Sequence, residues 1–377
     1  MIMSDKSPIE WTEATWNPIT GCSVVSAGCK HCYAMKLAGT RMKNEPSRAG
    51  LTIDTAAGPV WNGQVRFNEQ WLDQPLRWRR PRRIFVCAHG DLFHEAVPTQ
   101  WIDRIFAVMA LAPQHTFQVL TKRAERMHAY LSAPDVGVRI GREESAFAKL
   151  AAFYKPKKGT ANIHIGCRRY MPLSNVHLGV SVENQEAADA RISLLVKTPA
   201  AVRWISAEPL LAGVDISEWL FPVTACVGCP CPNPSASMSG FDDCCRDPTL
   251  GDSLLHWVVC GGESGARARP MHPEWARELR DQCAGAGVPF LFKQWGEWAP
   301  RAGRLFGSGE DFQSLDPECK RWPNLIRLGE HGLDTKIMEN CTPDMGQEVF
   351  MQKVGKKTAG RMLYHVLHDG YPTQPSQ

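Results

Sequence analysis

Nowhere in the 377 residues is there a run of about 18 apolar side chains, so no segment is long enough to cross a bilayer as a helix. The N-terminus, MIMSDKSPIEWTEATW, also lacks the uninterrupted apolar core of a secretory leader, which makes a cytoplasmic protein the expectation. A formal net charge of only +4 permits nucleic-acid binding without demanding it. With 44% apolar and 22% charged residues, the composition excludes a largely disordered chain. Length and composition together allow one large α/β domain with appendages.

Cysteine, by contrast, is plentiful. Fourteen of them in a reducing compartment point to metal ligation rather than disulfides. Cys22, Cys29 and Cys32 fall within eleven residues, in the stretch Trp16–Ala34 (WNPITGCSVVSAGCKHCYA). Gly21 and Gly28 precede two of them, and Asn17-Pro18 stops the segment before them from continuing as extended chain. Glycines allow the close approaches and positive φ that turn several sulfurs toward one point. Three thiolates so spaced suit zinc with a fourth ligand from elsewhere, or a cubane iron–sulfur cluster with one iron lacking a protein ligand.

The remaining chain alternates short apolar runs with amphipathic ones. Strands are expected at 84–88, 116–120, 176–182, 202–206, 256–260 and 288–292, with one more just before Cys22. Helices are expected from Thr99 through Met109, at 143–153, at 186–196 and at 273–286. Near-continuous apolar strands separated by helices imply a parallel sheet covered by helices, with reactive groups at the carboxyl ends of the strands. Those ends read His89-Gly90-Asp91, Thr121-Lys122-Arg123, Ser181-Val182-Glu183-Asn184, Ser206-Ala207-Glu208, Gly261-Gly262-Glu263-Ser264 and Lys293-Gln294-Trp295. Helix caps or solvated loops are the plain alternative for Ser181, Asn184 and Ser264. Six polar ends in succession favour one shared site.

Two segments interrupt the repeat. Residues 133–172 form a basic insertion containing Lys155-Pro156-Lys157-Lys158 and Cys167-Arg168-Arg169. Residues 219–255 carry Cys226, Cys229, Cys231, Cys244 and Cys245 among prolines, glycines and aspartates. Five cysteines in a segment too polar to fold by burial suggest a second metal site, for zinc or an auxiliary iron–sulfur cluster. Cys87 and Cys260 lie inside apolar strands and read as core. The arginine run 77–83, with its interleaved Trp78, suits gripping phosphates and stacking on a base, but it precedes a strand and so falls at the amino-end face, where a solvated or carboxylate-paired structural role is at least as good a reading. Residues 1–300 are thus the main domain and 301–377 a C-terminal subdomain, with 371–377 expected to fray.

NP-x-x-GC followed by GC-x-x-CYA resembles the cluster-binding signature of radical S-adenosylmethionine (SAM) enzymes, most closely the spore-photoproduct-lyase-like branch. Through WNPITGC, DLFHE, LTKR, VSVEN, ISAEPLL, GGESG, RPMHPEW and FKQWGEW, the chain also resembles a bacteriophage-associated family of unassigned function near that superfamily. The first gap, Cys-x6-Cys, is three residues longer than the usual superfamily spacing.

The resemblance implies an α/β partial (β/α) barrel of the radical SAM type, with Cys22, Cys29 and Cys32 holding a four-iron four-sulfur (4Fe-4S) cluster. It implies SAM cleavage and hydrogen abstraction from a nucleic acid or nucleotide, with an electron donor as partner. By position, Asp91, Ser181, Glu183, Glu208, Gly261 and Gly262 are the expected SAM contacts, Asp91 through the SAM amino group. Thr121, Arg123, Glu263, Lys293, Gln294 and Trp295 are the expected substrate side. Two other classes fit the cysteines: a non-catalytic zinc-dependent nucleic-acid-binding protein, and a hydrolytic metalloenzyme.

Overall fold

Seven short segments rich in β-branched and aromatic residues pair side by side, all parallel and in chain order. A computed structural model describes them within residues 7–153, 171–220, 253–301, 325–328 and 349–372. The strands are β1 (Ala14–Trp16), β2 (Arg83–Val86), β3 (Thr116–Thr121), β4 (Val176–Ser181), β5 (Val202–Ala207), β6 (Trp257–Gly261) and β7 (Phe290–Gln294). Strictly sequential order means that every connection crosses the same face, which is the barrel arrangement rather than the doubly wound one.

Side chains alternate across each strand, and both faces are buried. Ile84, Val86, Phe117, Val119, Leu178, Val180, Ile205, Val258, Cys260 and Phe292 point outward into the main core. That core is completed by helices such as α2 (Thr99–Leu111), α3 (Ala124–Leu131) and α5 (Gln185–Lys197), the last two flanking α4 (Val136–Phe153) in sequence. Burial on both sides is why these strands read as continuous apolar runs rather than alternating ones.

Phe85, Trp204, Trp257, Val259 and Leu291 point the other way, around Trp11. The Trp11 ring lies 4.7 Å from Phe85 on β2 and 5.2 Å from Trp204 on β5. Three strand spacings in a flat sheet would separate those strands by about 14 Å, more than the roughly 10 Å that one shared ring can bridge. The sheet therefore curls into a half-barrel, with Trp11 filling its inside. Gly179 makes room there, since a Cβ at that position would lie 2.4 Å from the Trp204 indole.

Among the described residues β1 and β7 do not pair with each other. The free edge of β7 is covered by the chain's end: Phe292 N–H donates to His368 O (3.0 Å) and Gly370 N–H to Phe290 O (3.0 Å). Tyr371 then stacks near Trp257 at 5.3 Å and donates its hydroxyl to Glu10 O (2.8 Å). The expected fraying does not hold at Tyr371, because an open sheet edge requires a partner and this segment supplies it; residues 373–377 lie outside the described residues. Of the C-terminal subdomain, strands Trp298–Arg301, Leu325–Leu328 and Val349–Lys353 form a small antiparallel sheet.

Within the arginine run, Arg77 pairs with Asp73, Arg82 lies over Trp78, and Arg83 lies over Tyr371 and pairs with Glu13, while Arg79 and Arg80 are exposed. The basic stretch after α4 and the five cysteines of 226–245 lie outside the described residues.

Candidate functional site

The connection from β1 to β2 is the longest excursion on the carboxyl side of the sheet and begins with the cysteine loop. It continues into α1 (Tyr33–Gly39) and a ribbon of Thr52–Thr55 with Gly58–Trp61. Ala34, Met35, Ala38, Leu51 and Trp61 make a separate apolar cluster, against which Cys22 and Cys32 pack. Gly21, at φ +94°, turns the chain into the loop; a Cβ there would meet Gln64 O at 2.2 Å. Gly21 N–H donates to His89 O (3.1 Å), and the Tyr33 hydroxyl donates to Ala88 O (2.7 Å), so the loop is tied to the end of β2.

Three arginine–carboxylate pairs, each from a different strand end, hold the loop across the rim. Asp91, after β2, is buried and accepts from Phe93 N (3.0 Å), Thr121 Oγ1 (2.7 Å), Lys122 N (3.2 Å) and Arg123 Nη1 (3.1 Å). Arg123 in turn donates to Cys22 Sγ (3.4 Å) and Ser23 Oγ (2.7 Å), and its Nε bonds Glu95 (3.1 Å). Glu183, after β4, is paired with Arg191 at 2.8 Å and lies directly under Gly28, where a Cβ would be 3.2 Å from its carboxylate. Glu263, after β6, is gripped by Arg269 through Nε (2.9 Å) and Nη2 (2.6 Å), and the same Nη2 donates to Ala27 O (3.0 Å).

The sulfurs are set apart from ordinary core cysteines. Cys22, Cys29 and Cys32 are half-buried, whereas Cys87, Cys260 and Cys283 are buried; Cys260 lies inside β6 as expected, while Cys87 falls in the turn just after β2. Burial pushes the Cys22 thiol up to about 12, reinforced by Asp91 and opposed by Arg123; Cys29 and Cys32 are near enough to add to the rise. Burial also raises Cys32, opposed by the Met35 and Ala34 amides and by the Lys122 charge; Cys32 is the N-cap of α1, and its side chain makes no capping hydrogen bond. Ser26 Oγ lies 3.8 Å from Cys29 Sγ. Cys22 and Cys29 thus each have a polar side chain at the sulfur, Arg123 and Ser26, while burial favours the thiol form of Cys22 and Cys32. As a thiol, Cys22 also donates to Ser23 O at 3.5 Å.

Among the described residues, no group of three or more His, Cys, Asp or Glu side chains is gathered at metal-binding spacing. The donor chemistry fits a thiophilic metal nonetheless, with three thiols on one loop at one rim. The raised pKa values of Cys22 and Cys32 mean that metal and proton compete for those two sulfurs.

The chain matches, over residues 6–372, the family described as protein of unknown function (DUF5131). The chain belongs to that family. No curated protein and no solved structure matches it.

The remaining strand ends of this DUF5131 chain sort by the direction of their side chains. Glu208 is in the mouth of the half-barrel, bonded by Ser206 Oγ (3.1 Å) and paired with Lys293 (3.0 Å). Gly261 faces them: a Cβ there would come within 2.8 Å of Glu208 Oε1. Ser181 is buried on the inward face of β4, in register with Ser206. Glu183 is held ionised: burial would raise its carboxyl, but Lys122, Arg191 and a bond from Ser26 outweigh that and lower it. Asn184 is a helix cap, accepting from Ala187 N at 3.0 Å.

Four expected contacts take other roles. Both oxygens of Asp91 are filled by four donors of this chain, which leaves no lone pair for a SAM amino group and makes Asp91 the holder of Arg123. Gly262 lies against the Trp295 backbone, where a Cβ would meet the carbonyl oxygen at 2.0 Å. Trp295 is buried, edge-on to Phe292 at 5.0 Å, and donates to Met362 O (2.9 Å), so no base can stack on it. Gln294 points away from the mouth and bonds Ser264 Oγ at 2.9 Å. Sequence reasoning missed Arg191 and Arg269, eight and six residues beyond the carboxylates they hold, because partner choice across a loop leaves no periodic signal.

Proposed function

We propose that this chain is a radical SAM-type enzyme in which Cys22, Cys29 and Cys32 ligate a 4Fe-4S cluster, and that the mouth of the half-barrel takes SAM and substrate. The observation that carries this reading is the delivery of three cysteines, two of them with a polar side chain at the sulfur, to the carboxyl rim of a curled parallel sheet. A cluster held there would supply the electron for reductive cleavage of SAM.

The chain's own residues do the rest. Arg123, Arg191 and Arg269 fix the loop to three strand ends. Ser181, Ser206, Glu208 and Lys293 offer hydroxyl, carboxylate and ammonium groups inside a mouth whose floor is sealed by Trp11, Trp204 and Trp257. That floor keeps water from entering through the barrel. A nucleic acid or nucleotide is the proposed substrate, on the motif resemblance alone.

The test is anaerobic purification with iron, sulfide and zinc contents and an absorption spectrum, on wild type and on the Cys22→Ala/Cys29→Ala/Cys32→Ala triple variant. Stoichiometric iron and sulfide in wild type, lost in the triple variant with its brown colour, is the expected result. Zinc alone in a colourless protein would overturn it.

A further inference from the structure

We infer that Arg123 is a positioning residue for the Cys22 sulfur, one that sets the redox behaviour of whatever metal group this cysteine holds. The inference rests on the metal reading proposed above and adds to it a specific asymmetry among the three sulfurs. Cys29 lies beside a serine hydroxyl, whereas Cys32 makes no capping hydrogen bond and feels the Lys122 charge without an N–H···S contact among the described residues. Among the described residues, Cys22 is the one of the three whose sulfur a cation reaches directly, through an N–H···S contact of 3.4 Å.

Everything around Arg123 keeps that contact in place. Its side chain is 6% exposed and its guanidinium is spread over four partners: Asp91, Glu95, Ser23 and Cys22. Asp91 is itself fixed by two backbone amides and by Thr121, whose hydroxyl also receives Arg123 N–H at 2.9 Å. The planar fork of a guanidinium lets one side chain grip a carboxylate and a sulfur at once, which the point charge of a lysine cannot do. Desolvation works against the Arg123 charge, but Asp91, Cys22 and Glu95 together strengthen it. The guanidinium is therefore a permanent cation at the sulfur.

Hydrogen bonds to ligating sulfur spread its negative charge and favour the reduced state of an iron–sulfur centre. Losing the Arg123 bond should move the midpoint potential to a more negative value. A purely scaffolding arginine would alter stability and metal content and leave the potential of the loaded protein where it was.

The experiment is a potentiometric titration with dithionite as the electron source, on anaerobically reconstituted wild type, Arg123→Lys and Ser23→Ala. Arg123→Lys keeps the charge for Asp91 and Glu95 but not the fork, so the fold is protected while the bond to sulfur is removed. The expected result is a negative shift in Arg123→Lys at wild-type iron content, with Ser23→Ala close to wild type because it retains the Arg123–Cys22 contact. A wild-type potential in Arg123→Lys would overturn the inference, as would loss of the folded protein in that variant, which would assign Arg123 to the scaffold. Wild-type protein that takes up no iron refutes the metal reading itself, and this inference with it, before any variant is compared.

Discussion

Replacing Asp91 by alanine separates the role that the motif resemblance gives this residue from the role its surroundings give it. The carboxylate is 5% exposed and accepts four bonds, at 2.7, 3.0, 3.1 and 3.2 Å. Its removal strands two amides, the Thr121 hydroxyl and a guanidinium that is itself only 6% exposed. Removing one partner of a buried ion pair costs about 3–5 kcal/mol. Glu95 remains on Arg123, so the lower end applies, about 3 kcal/mol. In equilibrium urea unfolding, Asp91→Ala should lose that much stability, and the cysteine loop should become the first site of proteolysis, because Arg123 no longer holds Cys22 and Ser23. Asp91→Asn keeps an acceptor for Phe93 N and Thr121 and should lose less. If Asp91 instead bound the SAM amino group, loss of one charge-assisted hydrogen bond would weaken SAM by about one to two orders of magnitude and leave the fold untouched. Wild-type stability in Asp91→Ala with such a loss of SAM affinity would refute the structural argument.

Other expected outcomes concern the half-barrel. Trp11→Ala should cost about 3–5 kcal/mol in urea unfolding, since it empties the inside of the curl; a near-neutral result would mean that the sheet does not close around Trp11. Gly179→Ala should cost about 1–3 kcal/mol, because the added methyl meets the Trp204 indole, and unchanged stability would rule out the β4–β5 register. Burial holds His89, His115 and His177 down at about 4, so they are neutral in the folded protein and protonate more readily when unfolded. Their contribution is therefore complete above about pH 6.5 and is lost as pH falls toward 4, at roughly 1–2 kcal/mol per histidine by pH 5. Urea unfolding at pH 7 and pH 5 should show a loss that shrinks in His115→Gln; a pH-independent stability would contradict it.

The strands were legible because burial on both faces writes their residues as unbroken apolar runs. Expected strand ends fall within two residues of the observed ones, and the helices at Thr99–Leu111, Gln185–Lys197 and Pro273–Gly285 were marked by their apolar spacing. What the runs could not tell was direction at the strand ends. Lys293 and Gln294 are neighbours and were expected to share the rim, yet Lys293 reaches Glu208 while Gln294 bonds Ser264, at the point where the β6–β7 pairing shifts register. Trp11 and Tyr371 were equally hidden. Each is an isolated aromatic outside any periodic segment, and its partners are far off in sequence.

The same long-range pairing changes how the rim carboxylates are to be understood. Asp91, Glu183, Glu208 and Glu263 looked like four open acceptors awaiting a cationic ligand, but each already holds a cation of this chain. For three of them that cation is an arginine, the carboxylate side chain is 2–7% exposed, and the pair also touches the cysteine loop. Displacing a forked, buried arginine means stranding its charge as well as breaking the bond, so these pairs are suited to holding the loop in place. Glu208 differs on every count. Its partner is a lysine on a flexible stem, its side chain is 12% exposed, and it lies in the mouth beside the Cβ-free surface of Gly261. Lys293 can swing away from Glu208 at the cost of one point-charge contact, leaving both groups free for new partners. A charged ligand entering the half-barrel therefore meets the least resistance at Glu208 and Lys293, while the three arginine-held carboxylates stay committed to the cysteine loop.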